Sequence, residues 1–230
     1  MMDSENVAYT PGPIPRWEQR LRTIVLVIGR LGLAYLFFTQ LWWKTPPDFG
    51  CPSDYAFTTG SVEGGRVTLQ RTSGLCDWIG IENVWADQPR PFFVANLDNS
   101  GAPEISIDLG WAAKLNNLFL ENIVMPNIRW FGWILWGAEA LIFLSLFLGL
   151  FSRLGGLTAV AVSGQLMIGL SGISNPYEWE WAYNQMVLLS LLMFGFAPGR
   201  VFGVDAWLRP RLQAAAERDN PVARVLVWLT

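Results

Sequence analysis

The chain has 230 residues, 52% of them apolar, and a formal net charge of −3. That apolar share exceeds the ~45–50% of soluble domains even before glycine is counted, and it is gathered in blocks, as in a membrane protein. No basic stripe suited to nucleic acid is present, and the complete lack of His removes the commonest metal ligand, haem ligand and general base.

Residues 1–22 read as an irregular, cytoplasmic N-terminal tail, with prolines at 11, 13 and 15. This stretch is polar, and the first apolar run is followed by Trp and Lys rather than small residues, so no cleavable signal is expected. Residues 23–44 form the first predicted transmembrane helix, interrupted by Arg30. Its far end carries Trp42, Trp43 and Lys44, and Pro46 and Pro47 stop it. Residues 45–127 are punctuated by Gly, Pro, Ser, Asp and Asn. Within them 66–71 alternates like a strand, 91–97 is a second short strand candidate, and Asp108 is placed to cap a helix over 109–124. That helix either lies on the membrane face or packs within a small external cap.

Three more apolar runs follow, at 128–151, 154–173 and 177–197, each close to the ~20 residues that cross a ~30 Å hydrocarbon layer. Residues 198–230 end in an apolar stretch too short to span again, and are expected on the cytoplasmic surface or against a partner. Orientation follows the basic residues in short connections. Arg16, Arg20, Arg22, Arg153, Arg200, Arg209 and Arg211 put both termini in the cytoplasm, with Lys44 and Arg129 opposing. The predicted fold is therefore an all-α membrane protein: a four-helix transmembrane bundle with an extracytoplasmic cap of short β-strands plus a surface amphipathic helix between helices 1 and 2.

Charges inside a bilayer cost at least ~2.5–3.5 kcal/mol each, so they seldom face lipid. Arg30 and Glu139 are accordingly expected to meet inside the bundle, with Gln165 or Asn184 beside them. Two readings stand: a polar pocket for a quinone head group or proton path, and a buried pair that only fixes helix register. Arg30 has a third, snorkelling to the cytoplasmic surface with Arg22. Glu180, Trp181 and Tyr183 open the fourth helix. They are either helix-start acids with interfacial rings, or the rim of a substrate site. Gly155, Ala159 and Ser163 form a small-residue packing seam. Cys51 and Cys76 lie in the outward segment, where a structural disulfide is expected. A redox-active pair is the alternative, although their wide spacing lacks the Cys-X-X-Cys arrangement. Two Cys cannot hold an iron–sulfur cluster, so no metal site is expected. Redox chemistry would need a diffusible cofactor such as a quinone, a partner subunit or the thiols themselves.

Residues 29–38 (GRLGLAYLFF), Glu139 with 148–155 (LGLFSRLG), 178–183 (EWEWAY) and 198–208 (PGRVFGVDAWL) together resemble the DoxX/DoxD family of four-helix membrane proteins. The resemblance covers the four crossings and does not account for 45–101. It implies an inner-membrane subunit of thiosulfate:quinone oxidoreductase type, working with a DoxA-like partner. It also marks Arg30, Glu139, Arg153, Trp181, Arg200 and Asp205 as the family-like polar positions. The competing expectation is a non-catalytic accessory subunit of a larger respiratory or photosynthetic membrane complex. A transporter is a weaker third, since neither an inverted repeat nor a broken helix is visible.

Overall fold

The first long element, α1 (Arg16–Trp43), is apolar on nearly every side, yet it has a distinct inner face. Arg30, Leu33, Ala34 and Phe37 recur at helical spacing and are buried. Ile24, Val25, Ile28 and Tyr35 are exposed on its other faces. A belt of exposed apolar residues this long is not tolerated on a water-soluble monomer and suits contact with acyl chains. The computed structural model describes residues 14–63, 66–88, 91–95, 105–170 and 180–230.

After α1 come an antiparallel hairpin, β1 (Thr59–Glu63) with β2 (Arg66–Gln70), then a helix, α2 (Gly74–Trp85), then a second antiparallel pair, β3 (Pro91–Ala95) with β4 (Ile105–Asp108). Both predicted strands are present. The helix expected over 109–124 is present too, but it does not stand apart. It runs as α3 (Gly110–Phe119) through a π turn at Leu120–Val124 and a 3₁₀ turn at Met125–Asn127 into α4 (Ile128–Leu148). The Met125 amide reaches back five residues to the Leu120 carbonyl, and Pro126, which has no N–H, sits in the tight turn that follows. The expected boundary at 127 is thus a change of helical pitch. The Asp108 carboxylate accepts the Gly110 amide at 2.9 Å, two residues on, rather than sitting at the cap position itself.

Helix α5 (Ser152–Leu170) packs along α6 (Glu180–Phe196) and against α4. Gly155, Ala159 and Ser163 are all buried, as a packing seam requires. A Cβ at Gly156 would stand 2.5 Å from the Phe194 backbone nitrogen, so only glycine lets the two helices approach this closely. Leu33, Ala34, Phe37, Ile142, Leu146, Ala159 and Met193 form the core shared by α1, α4, α5 and α6. Three helical stretches, α1, Gly110–Leu148 and α5, are long and apolar enough to cross a membrane. Over Tyr183–Phe196, α6 is a shorter apolar helix.

The tail beyond the bundle is ordered by its own chain. Helices α7 (Val204–Ala216) and α8 (Pro221–Leu229) pack on each other, and α8 also packs on α5. The Trp228 ring stands 6.1 Å from that of Phe194, and Arg153 donates to the Trp228 carbonyl at 3.5 Å. Arg200 and Arg209 both donate to the Thr230 carbonyl. Burial, with Arg209 and Arg153 nearby, holds the Arg200 guanidinium below its usual value, and Asp205 opposes the shift.

Cys51 and Cys76 form a disulfide, with Cα atoms 5.3 Å apart. It ties the turn after α1 to the first turn of α2. Gly50 and Gly74, both at positive φ, cross so closely that a Cβ on Gly50 would lie 3.0 Å from the Gly74 Cα. The bridge closes a separation of 25 residues. Replacing both cysteines by Ser is expected to destabilise the protein by about 3 kcal/mol, measured as a drop in melting temperature in mild detergent. A variant melting with the wild type would show that the surrounding core alone holds α2 in place.

Candidate functional site

The predicted pairing of Arg30 with Glu139 does not form. Glu139, 1% exposed, bonds instead to the Nζ of Lys44, itself buried, at the end of α1. The reason is depth. At 1.5 Å per residue, Arg30 lies about 21 Å below Lys44 along α1. The register between α1 and α4 is set by the Trp136 indole, which donates to the Leu41 carbonyl at 3.4 Å. Glu139 is one turn beyond Trp136 in α4 and Lys44 one turn beyond Leu41 in α1, and the long lysine stem spans the offset. The Lys44 ammonium also lies 4.6 Å from the centroid of the Trp43 ring, a favourable arrangement for a desolvated cation.

Arg30 belongs to a different cluster. Its Nη1 donates to the Phe202 carbonyl at 2.5 Å, and the field of Asp205 acts on it. Asp205 is fully buried and accepts the Phe151 amide at 2.7 Å, the Ser152 amide at 2.8 Å and the Ser152 hydroxyl at 2.7 Å. Those amides open α5, so Asp205 caps that helix from a distant part of the chain and complements its dipole. Arg30 and Asp205 are therefore explained by architecture.

Lys44 and Glu139 open onto a cavity of about 260 Å³. It lies between α1, α4 and α5, and α2 with the end of α3 closes it. Its walls are mainly apolar, with Trp43, Trp78, Phe119 and Phe131 supplying rings, and Leu135 and Val162 packing between them. Gln165 lines the cavity as well, but its partner is not Glu139. Its amide donates to Glu82 at 2.7 Å, and Asn116 donates to the same oxygen at 2.8 Å. The polar residues that line the cavity are thus Lys44 with Glu139, Glu82 with Gln165, and Gln40 of α1, while Asn116 bonds Glu82 from outside the lining.

The Glu139 Oε2 atom is buried and makes no hydrogen bond, while Oε1 takes the lysine. A carboxylate oxygen left unpaired beside a cavity is costly unless something else bonds it. Asn184 also carries a buried Oδ1 without a partner, but it does not line this cavity. Of the predicted rim, Tyr183 is buried and its ring lies 6.3 Å from Trp78, which does line the cavity. The side chains of Glu180 and Trp181 lie outside those described. Among the described residues, no three His, Cys, Asp or Glu side chains converge to hold a metal ion.

Two of the cavity's charged residues escape a sequence reading. Lys44 follows two tryptophans at a helix end and so reads as an interfacial anchor. Glu82 sits in a run, WIGIENVW, whose other members are mostly apolar, and that isolation was the available signal. No protein-family model matches this chain, and no curated protein or solved structure does so either.

Proposed function

We propose that the chain is a four-crossing membrane protein whose cavity receives a quinone head group, as a DoxD-like subunit linked to oxidation of thiosulfate or a similar reduced sulfur compound. In this reading α6 is the fourth crossing, both chain ends face the cytoplasm of a cell with this protein in its inner membrane, and residues 45–127 face outward. The carrying observation is the cavity itself, with aromatic walls for a flat ring and a buried ion pair at one end. Small-ligand sites combine those features, a mostly apolar lining with few convergent polar groups. Lys44 and Glu139 would contact the head group, and electrons would arrive from an outward donor or from a DoxA-like partner.

The test uses the purified full chain in nanodiscs. A short-tailed quinone is expected to bind saturably and to quench cavity tryptophans, with Ala138→Trp abolishing binding by filling the space. Thiosulfate, with the partner subunit where one co-purifies, is then expected to reduce the bound quinone. Saturable binding without turnover would assign the chain to an accessory role in a larger membrane complex. Absence of saturable binding would overturn the quinone reading.

A further inference from the structure

We infer, building on the quinone reading above, that the ring ligand of this cavity carries a long apolar chain and that the chain leaves sideways, between α4 and α5, into the acyl region of the bilayer. The two helices touch beside the turn that joins them, where a Cβ on Gly155 would overlap the Ser145 hydroxyl. Farther along, at Ala138 and Ala161, the cavity lies between them. Two methyl groups are all that these positions offer to close the gap.

The surface of the gap shows where the cavity opens. Of the cavity's lining residues, the exposed ones are Phe119, Ile134 and Ala161, and all three are apolar. Ile134 is 67% exposed. In a helix the exposed part of an alanine is mainly its methyl, so Ala161 marks a point where cavity and exterior meet. Depth then fixes what lies outside. Ala138 is the middle residue of α4 and Ala161 that of α5, and both helices belong to stretches apolar enough to cross a membrane. A mouth halfway along two such stretches faces hydrocarbon, not water.

Size gives the rest. The cavity holds about 260 Å³, and a dry cavity of about 150 Å³ already suits a benzene ring. A substituted ring takes up most of the space, so a chain of more than a few carbons lies outside. A ligand arriving at mid-membrane must dissolve there, and each CH₂ of a chain favours that by about 0.8 kcal/mol. The chain can stay in lipid while the ring enters, so binding does not require it to be desolvated or packed.

Two quinones with one head ring test this in nanodiscs holding the wild-type chain. One has no tail. The other bears a three-isoprene chain with a diazirine near its end. With concentrations expressed per lipid, the two are expected to bind with about equal affinity. Illumination is expected to label the lipid-facing sides of α4 and α5, and excess tail-less quinone should displace that label. Ala161→Trp, a change at an exposed position, is expected to slow association of the chained quinone by about tenfold or more, and to slow the tail-less one less. The inference is overturned if the tail-less quinone binds and the chained one does not. It is also overturned if the displaceable label falls on α1 or α2, if no label can be displaced, or if Ala161→Trp admits the chained quinone at the wild-type rate. Each of those results leaves the quinone reading intact. Failure of both ligands to bind would remove the quinone reading as well.

Discussion

Lys44→Met is expected to destabilise the protein by about 3–5 kcal/mol, the usual cost of removing one partner from a buried ion pair. The methionine nearly matches the lysine stem in volume, so packing around α1 and α4 changes little. What changes is the environment of Glu139, which is 1% exposed and, among the described residues, bonds only to Lys44. An isolated carboxylate there must either stay charged in a low-dielectric interior or take up a proton, and both cost free energy. Adding Glu139→Leu should restore most of the loss, because replacing both members of a buried pair with apolar groups is often neutral or stabilising. The measurement is the melting temperature of wild type, single and double variants in the same detergent. A single variant as stable as the wild type would mean that Glu139 is not held by Lys44, and the charged end of the cavity would have to be described differently.

The three long apolar helical stretches, α1, Gly110–Leu148 and α5, were legible because they rest on long-range composition, which does not depend on any one contact. Arg30 and Glu139 were also legible as buried polar groups, and both are buried. Their partners were not. Which charge meets which depends on relative helix depth, and that is set by contacts such as Trp136 to Leu41, which no spacing rule supplies. Helix α2 was missed for a related reason. It buries Leu75, Cys76, Asp77, Ile79, Gly80, Ile81, Glu82 and Trp85, on more than one face, so it lacks the clear amphipathic stripe by which a helix is usually found. Two of those residues are acids, which broke the apolar run further. Asp77 is satisfied by Arg71 at 2.6 Å and by the Thr58 hydroxyl, and Glu82 by the amides of Gln165 and Asn116. Each partner lies outside α2, so the burial of these acids is a property of the tertiary fold. The apolar end of the tail, too short to span, was expected on the cytoplasmic surface or against a partner; which part of its own chain it meets was not legible, and α8 packs that surface partly on α5 and α6.

Asp205→Ala is expected to cost at least as much, about 4 kcal/mol or more, although it lies far from the cavity. The estimate combines the loss of a helix cap, about 1–2 kcal/mol, with the penalty for buried donors left unmet, about 1–3 kcal/mol each. Three donors are involved: the amides of Phe151 and Ser152 and the Ser152 hydroxyl. None can turn to water easily, since Ser152 and Asp205 are both fully buried. The Arg30 charge, which Asp205 balances in part, would also lose its nearby anion. Asp205→Asn keeps one acceptor oxygen but no charge, so it should recover roughly half of the loss. Hydrogen exchange separates this from general loosening. Exchange at the amides of Phe151 and Ser152 should quicken in Asp205→Asn before the rest of α5 is affected. Uniform exchange along α5, or unchanged stability in Asp205→Ala, would show that the α4–α5 turn holds itself and that Asp205 is only a passenger. If the cap is confirmed, these three buried polar residues have separate roles: Arg30 and Asp205 hold the helices in place, and Glu139 lines the cavity between α1, α4 and α5.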